Sequence, residues 1–565
     1  MSKVFVPQEK SSALASACAF VLTMVLILSG CANLPTSGEP HEFAIDVPTR
    51  EPIGQYGSGP QAGSTPSVLV EDFLRACAAG AFDDYAVARK YLMPQVADSW
   101  IPTSQVIVFP TDTGPEVKKE VTDDDSSSIA LQISTIASVD ERGVLHELPE
   151  AGSTALTFEL AKDQEGEWRI SALDDGLVLS QNAFTTGFGQ YDLYFSARSA
   201  DALVADPRWY PRLRTASHLV AGMLAGPSGE IAGALMDDLG GGLSLLATGV
   251  EVRERTAHVE LEGTVTVSQE DRELIMWQIE AALSQLPDIQ SVEVWINSVQ
   301  VDPSQLPVGP QYALDRVVAV IDDAISVIST DGTVELVKAQ TLDHSPTSPS
   351  IGPLEDSPLA WLDEEENRVF ILRGRDITPV SVSRPSKPSI DRFGNVWTVD
   401  QDSSKLVRIG TDNEVSTVEN PLGSTTLSRV FVAPDGARVV LLAEGDEGGA
   451  LWMGTLVPGE GGDVSIESIE AIDRVSGDVL DATWTGATGL SALVASGEGE
   501  ETVIRSAPVG GWASRYLAPA GVTSVTAGAK TRGLIVQRPD QTAFQRSGAA
   551  WLDLGNARAY LSAPG

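Results

Sequence analysis

Residues 431–443, FVAPDGARVVLLA, read as strand, tight turn and strand: apolar Phe431 and Val432, the turn residues Pro434-Asp435-Gly436, then an apolar run from Val439 to Ala443. The same unit recurs in VISTDGTVELV (327–337), ENRVFILR (366–373), PSIDRFGNVWTVD (388–400), TWTGATGLSALVAS (483–496) and AGAKTRGLIVQ (527–537). Turns therefore fall near Gly332, Asn367, Gly394, Gly436, Gly486 to Gly489 and Arg532-Gly533. A period of roughly 40–50 residues with four strands per unit is the signature of a β-propeller, and residues 312–565 have room for five or six blades. Trp361, Trp397, Trp452, Trp484, Trp512 and Trp551 accompany the repeats, as expected of aromatic side chains packed between neighbouring sheets.

Ahead of the propeller, residues 188–302 carry YDLYFS (191–196), LVAGMLAGPSG (219–229), VEVRERTAHVELEG (250–263) and VEVWINSVQV (292–301). Val252, Val259 and Leu261 are expected on one side of a strand or hairpin. Between the last two segments the spacing predicts an amphipathic helix over 271–286. Ile275, Ile279, Ala282, Leu283 and Leu286 share its face, Ser268 caps it and Pro287 ends it. This α/β region resembles the GerMN domain of bacterial envelope and sporulation proteins, which implies an interaction module, since the matching residues are turns and core positions.

Residues 67–182 begin with helices and continue as strands near 105–109, 129–138, 155–160 and 168–173, with turns at Glu141-Arg142-Gly143 and Gln164-Glu165-Gly166. The stretch FLRACAAGAFDDYAVARKYLMP (73–94) with the sheet after it resembles the α+β cone of the nuclear transport factor 2 superfamily. That fold often encloses a pocket, but His146 has no obvious aspartate partner here, so a scaffold is expected. Cys77, on the apolar side of its helix, reads as a small buried hydrophobe.

Lys3 and Lys10 precede an apolar run over residues 13–28, which ends in Leu28-Ser29-Gly30-Cys31. The run is shorter than the roughly 20 residues that span a bilayer. It has the basic and apolar regions of a secretion signal. The tetrapeptide resembles a bacterial lipobox, which implies removal of residues 1–30 and a covalent S-diacylglycerol, with an N-acyl chain, on Cys31. The chain would then be held at the extracytoplasmic face of the cell membrane by lipid alone. Residues 31–66 are rich in Pro and Gly and read as a flexible tether.

Lys and Arg number 38 against 78 Asp and Glu, a formal charge of −40, which argues against nucleic acid as a partner. The three cysteines, Cys18, Cys31 and Cys77, supply no disulfide framework. Five scattered histidines form no HExxH or Cys/His set, and no GxSxG elbow or Walker lysine is present, so neither a metal site nor catalytic residues are assigned. Residues 389–397 resemble the Asp box of sialidase propellers, with one extra residue and a single occurrence. Arg208, Arg212 and Arg214, interleaved with Trp209, are the one basic and aromatic cluster. They form either a contact for an acidic partner or wall polymer, or a solvated segment in which arginine stems cover the tryptophan.

The order of lipobox, tether, α+β domain, GerMN-like domain and propeller resembles the actinobacterial lipoprotein family LpqB across almost the whole mature chain. That resemblance implies a non-enzymatic accessory of the MtrAB two-component system that contacts the extracellular domain of the sensor histidine kinase MtrB, with cell division and envelope homeostasis downstream. The alternatives are a cell-wall glycan hydrolase, or a wall-polymer or small-ligand binding protein, using the propeller.

Overall fold

In the computed structural model the described residues are 57–236, 241–264, 266–329, 332–363, 367–445, 448–495, 501–528 and 533–564. The signal run, Leu28, Ser29, Gly30, Cys31 and the first part of the tether lie outside them. Helix α1 (Pro66–Ala79) opens with a proline whose fixed φ suits the first turn, and Leu69, Val70, Phe73, Ala76 and Cys77 form its buried stripe. Two short helices, α2 (Ala86–Arg89) and α3 (Pro94–Ser99), follow.

The helices pack on a six-stranded sheet built around the antiparallel pair Ser126–Val139 and Leu145–Lys162. Alternate residues Ile129, Leu131 and Ile133 point into the core, as the two-residue period of a strand requires. Strand Val106–Phe109 joins this pair antiparallel on one side and Leu177–Ser180 parallel on the other. Phe73 meets Tyr91, Trp100 and Phe158 at centroid distances of 5.6–6.3 Å. The thiol of Cys77 is buried, and that burial pushes its pKa up, so it is an inert core group.

The end of the expected tether is part of this domain. Tyr91 Oη donates to Ser58 O at 2.8 Å, and Gly63 N donates to Glu167 Oε2 at 2.7 Å. A side chain at Gly57 would come within 3.2 Å of Ala76 Cα, so glycine is what lets this segment approach α1.

Helix α4 (Gln181–Gly187), capped by Ser180 Oγ accepting from Ala183 N at 3.2 Å, leads into the hairpin Phe188–Ser196 and Leu203–Pro211. After α5 (Thr215–Leu224) comes a sheet in which Thr256–Gly263 and Ser291–Ile296 run parallel. Parallel neighbours need a crossover, and α6 (Gln269–Leu283) supplies it. Ser268 caps α6, its Oγ accepting from Asp271 N at 3.1 Å. Ile275, Ile279, Ala282 and Leu283 are buried on it, with Leu286 just beyond. Val252 is exposed, unlike Val259 and Leu261, because strand Glu251–Arg253 lies at the sheet edge.

The C-terminal region forms six four-stranded antiparallel sheets. In five of them the four strands follow in sequence order. In the first, the last strand of the chain, Ala559–Ser562, pairs with Val317–Ile321, so the C-terminus closes the ring. Strands Ala559–Ser562, Thr347–Ile351, Ser389–Ile390, Leu427–Val432, Asp478–Trp484 and Ser524–Ala527 contact each other in succession around the axis. The expected propeller therefore has six blades, not five. Trp361, Trp397 and Trp484 are buried within it, whereas Trp512 leaves the blades and packs on the core of the first domain. Asp391 accepts from Trp397 Nε1 and Asn395 Nδ2, both at 2.8 Å, so the Asp-box-like segment folds on itself as a turn lock.

Candidate functional site: the joint between the three domains

The described residues pack as one unit, and strand Leu203–Pro211 is where all three domains touch the same element. Trp209 is 8% exposed and belongs to the apolar cluster of the first domain, with its ring 4.9 Å from Phe184. Its backbone N donates to Gly143 O at 2.7 Å, and its indole Nε1 donates to Gly510 O of the propeller at 2.8 Å. One residue of the second domain is thus bonded to both others.

Arg208, the preceding residue, is 0% exposed. Its guanidinium pairs with Asp206, and Nη1 donates to Arg142 O at 2.8 Å. Asp206 in turn accepts from Ser228 N at 2.8 Å. A guanidinium and a carboxylate so completely out of water need each other and these backbone partners, since a lone buried charge is costly. The turn carrying Arg142 depends on Gly143, whose φ of +85° is glycine territory; a Cβ there would sit 3.0 Å from Trp209 O.

Across the joint the propeller answers with Arg438, whose Nη1 donates to Asp435 at 3.0 Å and whose Nη2 donates to Ala205 O at 2.7 Å. Ala513 N donates to Glu147 Oε2 at 2.8 Å, with Arg474 3.7 Å from the same oxygen. Arg392 reaches Asp201 and Ser199 at 2.9–3.0 Å.

A cavity of about 330 Å³ lies where the domains meet, lined among others by His146, Glu147, Glu230, Arg438, Glu470 and Arg474. His146 has a partner after all, Asp140, 3.6 Å away across the turn. The neighbouring Asp140 carboxylate holds the imidazole above its ordinary pKa, aided by the charges of Glu230 and Glu470. Burial, then the Glu470 charge, pushes Glu230 up. Arg438 bonds Ala205 O of the second domain and Arg474 stands beside Glu147 of the first, so these two cations fasten the propeller to its neighbours.

A raised histidine pKa means that the folded state binds the proton more tightly. Its stabilisation is complete below the unfolded value of 6.5 and is lost as pH rises through the raised value. His146→Gln is accordingly expected to remove part of the decline in melting temperature as pH rises above the ordinary value of 6.5. The effect should be small, because both side chains are about half exposed and solvent screens them. An unchanged slope in a thermal melt series would refute it.

The expected partner-contact cluster divides. Arg208 and Trp209 face inward and are used by the chain itself, which reverses the expectation that they meet an outside partner and equally the picture of a solvated segment. Arg212 stays at the surface, its N donating to Gly187 O at 2.9 Å, and exposed Arg214 lies 3.4 Å from Asp84. Glu147, Arg438 and Gly510 were not singled out in the sequence, and Arg142 only as part of a turn. Gly143 and Gly510, each a glycine in a turn, were the available signal. Among the described residues no group of three or more His, Cys, Asp or Glu side chains could hold a metal ion. No helix among them is long and apolar enough to cross a membrane.

Residues 59–185 match the family model "Lipoprotein LpqB, N-terminal domain", 192–302 match "Sporulation and spore germination", and 323–561 match "Lipoprotein LpqB beta-propeller domain". Among curated relatives, Lipoprotein LpqB of Nocardia farcinica is 29% identical over 47% of this chain and 45% of its own length. That of Rhodococcus opacus is 31% identical over 43% and 39%. The match thus spans under half the length of those two relatives, whereas that of Thermobifida fusca, 24% identical, covers 86% of this chain and 87% of the relative. Among solved structures, catalytically inactive virginiamycin B lyase from Staphylococcus aureus has a TM-score of 0.31 at 15% identity, over 44% of this chain and 88% of that one.

Fold and matches together define a multidomain protein of mostly β structure with a C-terminal propeller. The chain belongs to the LpqB lipoprotein family.

Proposed function

We propose that the chain is a lipid-anchored, non-enzymatic accessory of a membrane sensor histidine kinase of the MtrB type, acting at the extracytoplasmic face of the cell membrane. S-diacylglycerol and N-acyl chains on Cys31 would hold it there, since two or three acyl chains anchor durably where one does not. Anchoring raises the effective concentration of both proteins for each other.

The observation that carries this reading is the bonding of Trp209, a residue of the second domain, to both of the others. A rigid body presents a preformed surface, so little ordering entropy opposes its association with a receptor. A change in kinase state then follows only if the two kinase states bind that surface with different affinity. In the same reading the first domain, α1 against its sheet, is a cone of the nuclear transport factor 2 type used as scaffold.

The test is the phosphorylation level of the response regulator in cells whose own copy has been deleted. Wild type should restore it, and Cys31→Ala, expressed equally, should be found in the medium and fail to restore it. Glu230→Gln and Glu470→Gln should restore it fully. Restoration by Cys31→Ala together with loss on a single carboxylate change, accompanied by release of muropeptides or glycosides, would favour a hydrolase instead.

A further inference from the structure

A pocket of about 280 Å³ opens at one end of the propeller axis, and every blade contributes to it. Tyr560 comes from the closing strand, Ser348, Arg429, Asp481 and Ser524 from the inner strands of four other blades, and Lys387 from the residues that enter Ser389–Ile390. Arg538 reaches in from the turn after Leu534–Gln537.

The charge of this lining runs against that of the chain. On a protein of −40, the pocket gathers three cations and one carboxylate. Asp481 is already satisfied, pairing with Arg429 Nη1 and accepting from Val525 N at 2.9 Å. Arg538 uses Nε on Ala520 O at 2.8 Å. Among the described residues nothing accepts a hydrogen bond from the ammonium of Lys387, a half-buried residue of the lining. Arg429 Nε is buried and also lacks a partner. Burial, then the neighbouring Arg429, lowers the Lys387 pKa to about 8, with Asp481 opposing. Lys387 is a half-buried cation with no hydrogen-bond partner among the described residues, and an anion in the pocket would give it a charge-assisted one.

We propose that this axial pocket binds a compact oxyanion, a carboxylate, sulfate-like or phosphoryl group, through Lys387 and Arg538, with the Arg429 guanidinium adding positive charge beside them. The group can belong to a free small molecule or be carried by a surface polymer; the chemistry recognised is the same. This site is independent of the kinase reading and stands or falls separately from it.

The full acylated chain in detergent is titrated calorimetrically at constant ionic strength with inorganic sulfate, acetate, inorganic phosphate and soluble poly(glycerol phosphate). Saturable binding of at least one probe is expected, at least tenfold weaker in Lys387→Gln and retained in Lys387→Arg. With sulfate, whose charge is fixed in this range, affinity should hold at pH 7 and fall by pH 9 as Lys387 loses its proton. The charged groups of the lining that face it are Arg429, Arg538 and Asp481, and Tyr560 is the other titratable group there. Tighter binding of the small anions would identify a free ligand, and tighter binding per phosphate of the polymer would identify a polymer-borne group. Should Lys387→Gln fail to fold, Arg538→Gln carries the same expectation. Absence of saturable binding to all four probes, or equal affinity in a folded Lys387→Gln or Arg538→Gln, overturns the proposal.

Discussion

Trp209→Ala is expected to lower the unfolding free energy by about 3–5 kcal/mol and to replace one cooperative thermal transition with separate ones. The magnitude follows from deleting a large, almost fully buried aromatic side chain, which leaves a cavity that its surroundings fill only in part. The loss of cooperativity follows from position. The ring packs in the core of the first domain, the backbone belongs to the second, and the indole N–H ends on Gly510 O of the propeller. Truncation removes the ring contacts and leaves that carbonyl without its donor, while the backbone bond to Gly143 O survives. Trp209→Phe keeps most of the ring and loses the hydrogen bond, so about 1 kcal/mol is expected from the lost bond itself. Differential scanning calorimetry reads both effects. A single unshifted transition in Trp209→Ala would show that the domains do not depend on this pin.

The second large effect is expected from Arg208→Ala, about 3–5 kcal/mol of destabilisation. Removing one partner of a buried pair strands the other: Asp206, 3% exposed, would keep only its bond from Ser228 N. The carbonyl of Arg142 also loses the Arg208 guanidinium, although Tyr210 Oη still donates to it at 3.1 Å. The double variant Arg208→Ala with Asp206→Ala should therefore lose less than the two single changes added together, because each single change contains the cost of an unpaired buried charge. Chemical denaturation of the four proteins gives the coupling directly. Strict additivity would mean that the two side chains do not interact, contrary to the geometry.

How far the sequence was legible depended on whether the deciding interaction was local. The stripe on α6, its Ser268 cap and the strand-turn-strand units of the propeller are set by neighbours a few residues apart, and each appears where the spacing places it. Blade number was harder because the turns that mark the repeat are not equivalent. Gly394, Gly436, the segment 486–489 and Gly533 join the first and second strands of their blades, Asn367 joins the second and third, and Gly332 joins the last two of its sheet. Asp322 and Asp323, both at positive φ, form the tight turn of the first blade, between Val317–Ile321 and Ala324–Ser329. Closure by Ala559–Ser562 pairs residues at opposite ends of the domain, which no local pattern announces.

The joint was misread for a related reason. Strand Leu203–Pro211 is buried along almost its whole length, so it shows no alternation, and its charges look like surface charges. What hides Arg208 is a carbonyl 66 residues away in sequence, and what holds the Trp209 indole is one 301 residues away. A basic and aromatic run signals exposure only when no such partners exist. Here the chain supplied them itself.

The central claim, a rigid anchored body that meets a membrane kinase, is tested most directly by photocrosslinking in intact cells. Photoreactive residues are placed one at a time on the exposed faces of the second domain and of the propeller, in wild type and in Cys31→Ala, and captured partners are identified by mass spectrometry. The account predicts capture of a sensor histidine kinase from a contiguous set of positions in wild type, and loss of that capture in Cys31→Ala. Capture of wall material alone, or of the kinase equally well without the anchor, would contradict it.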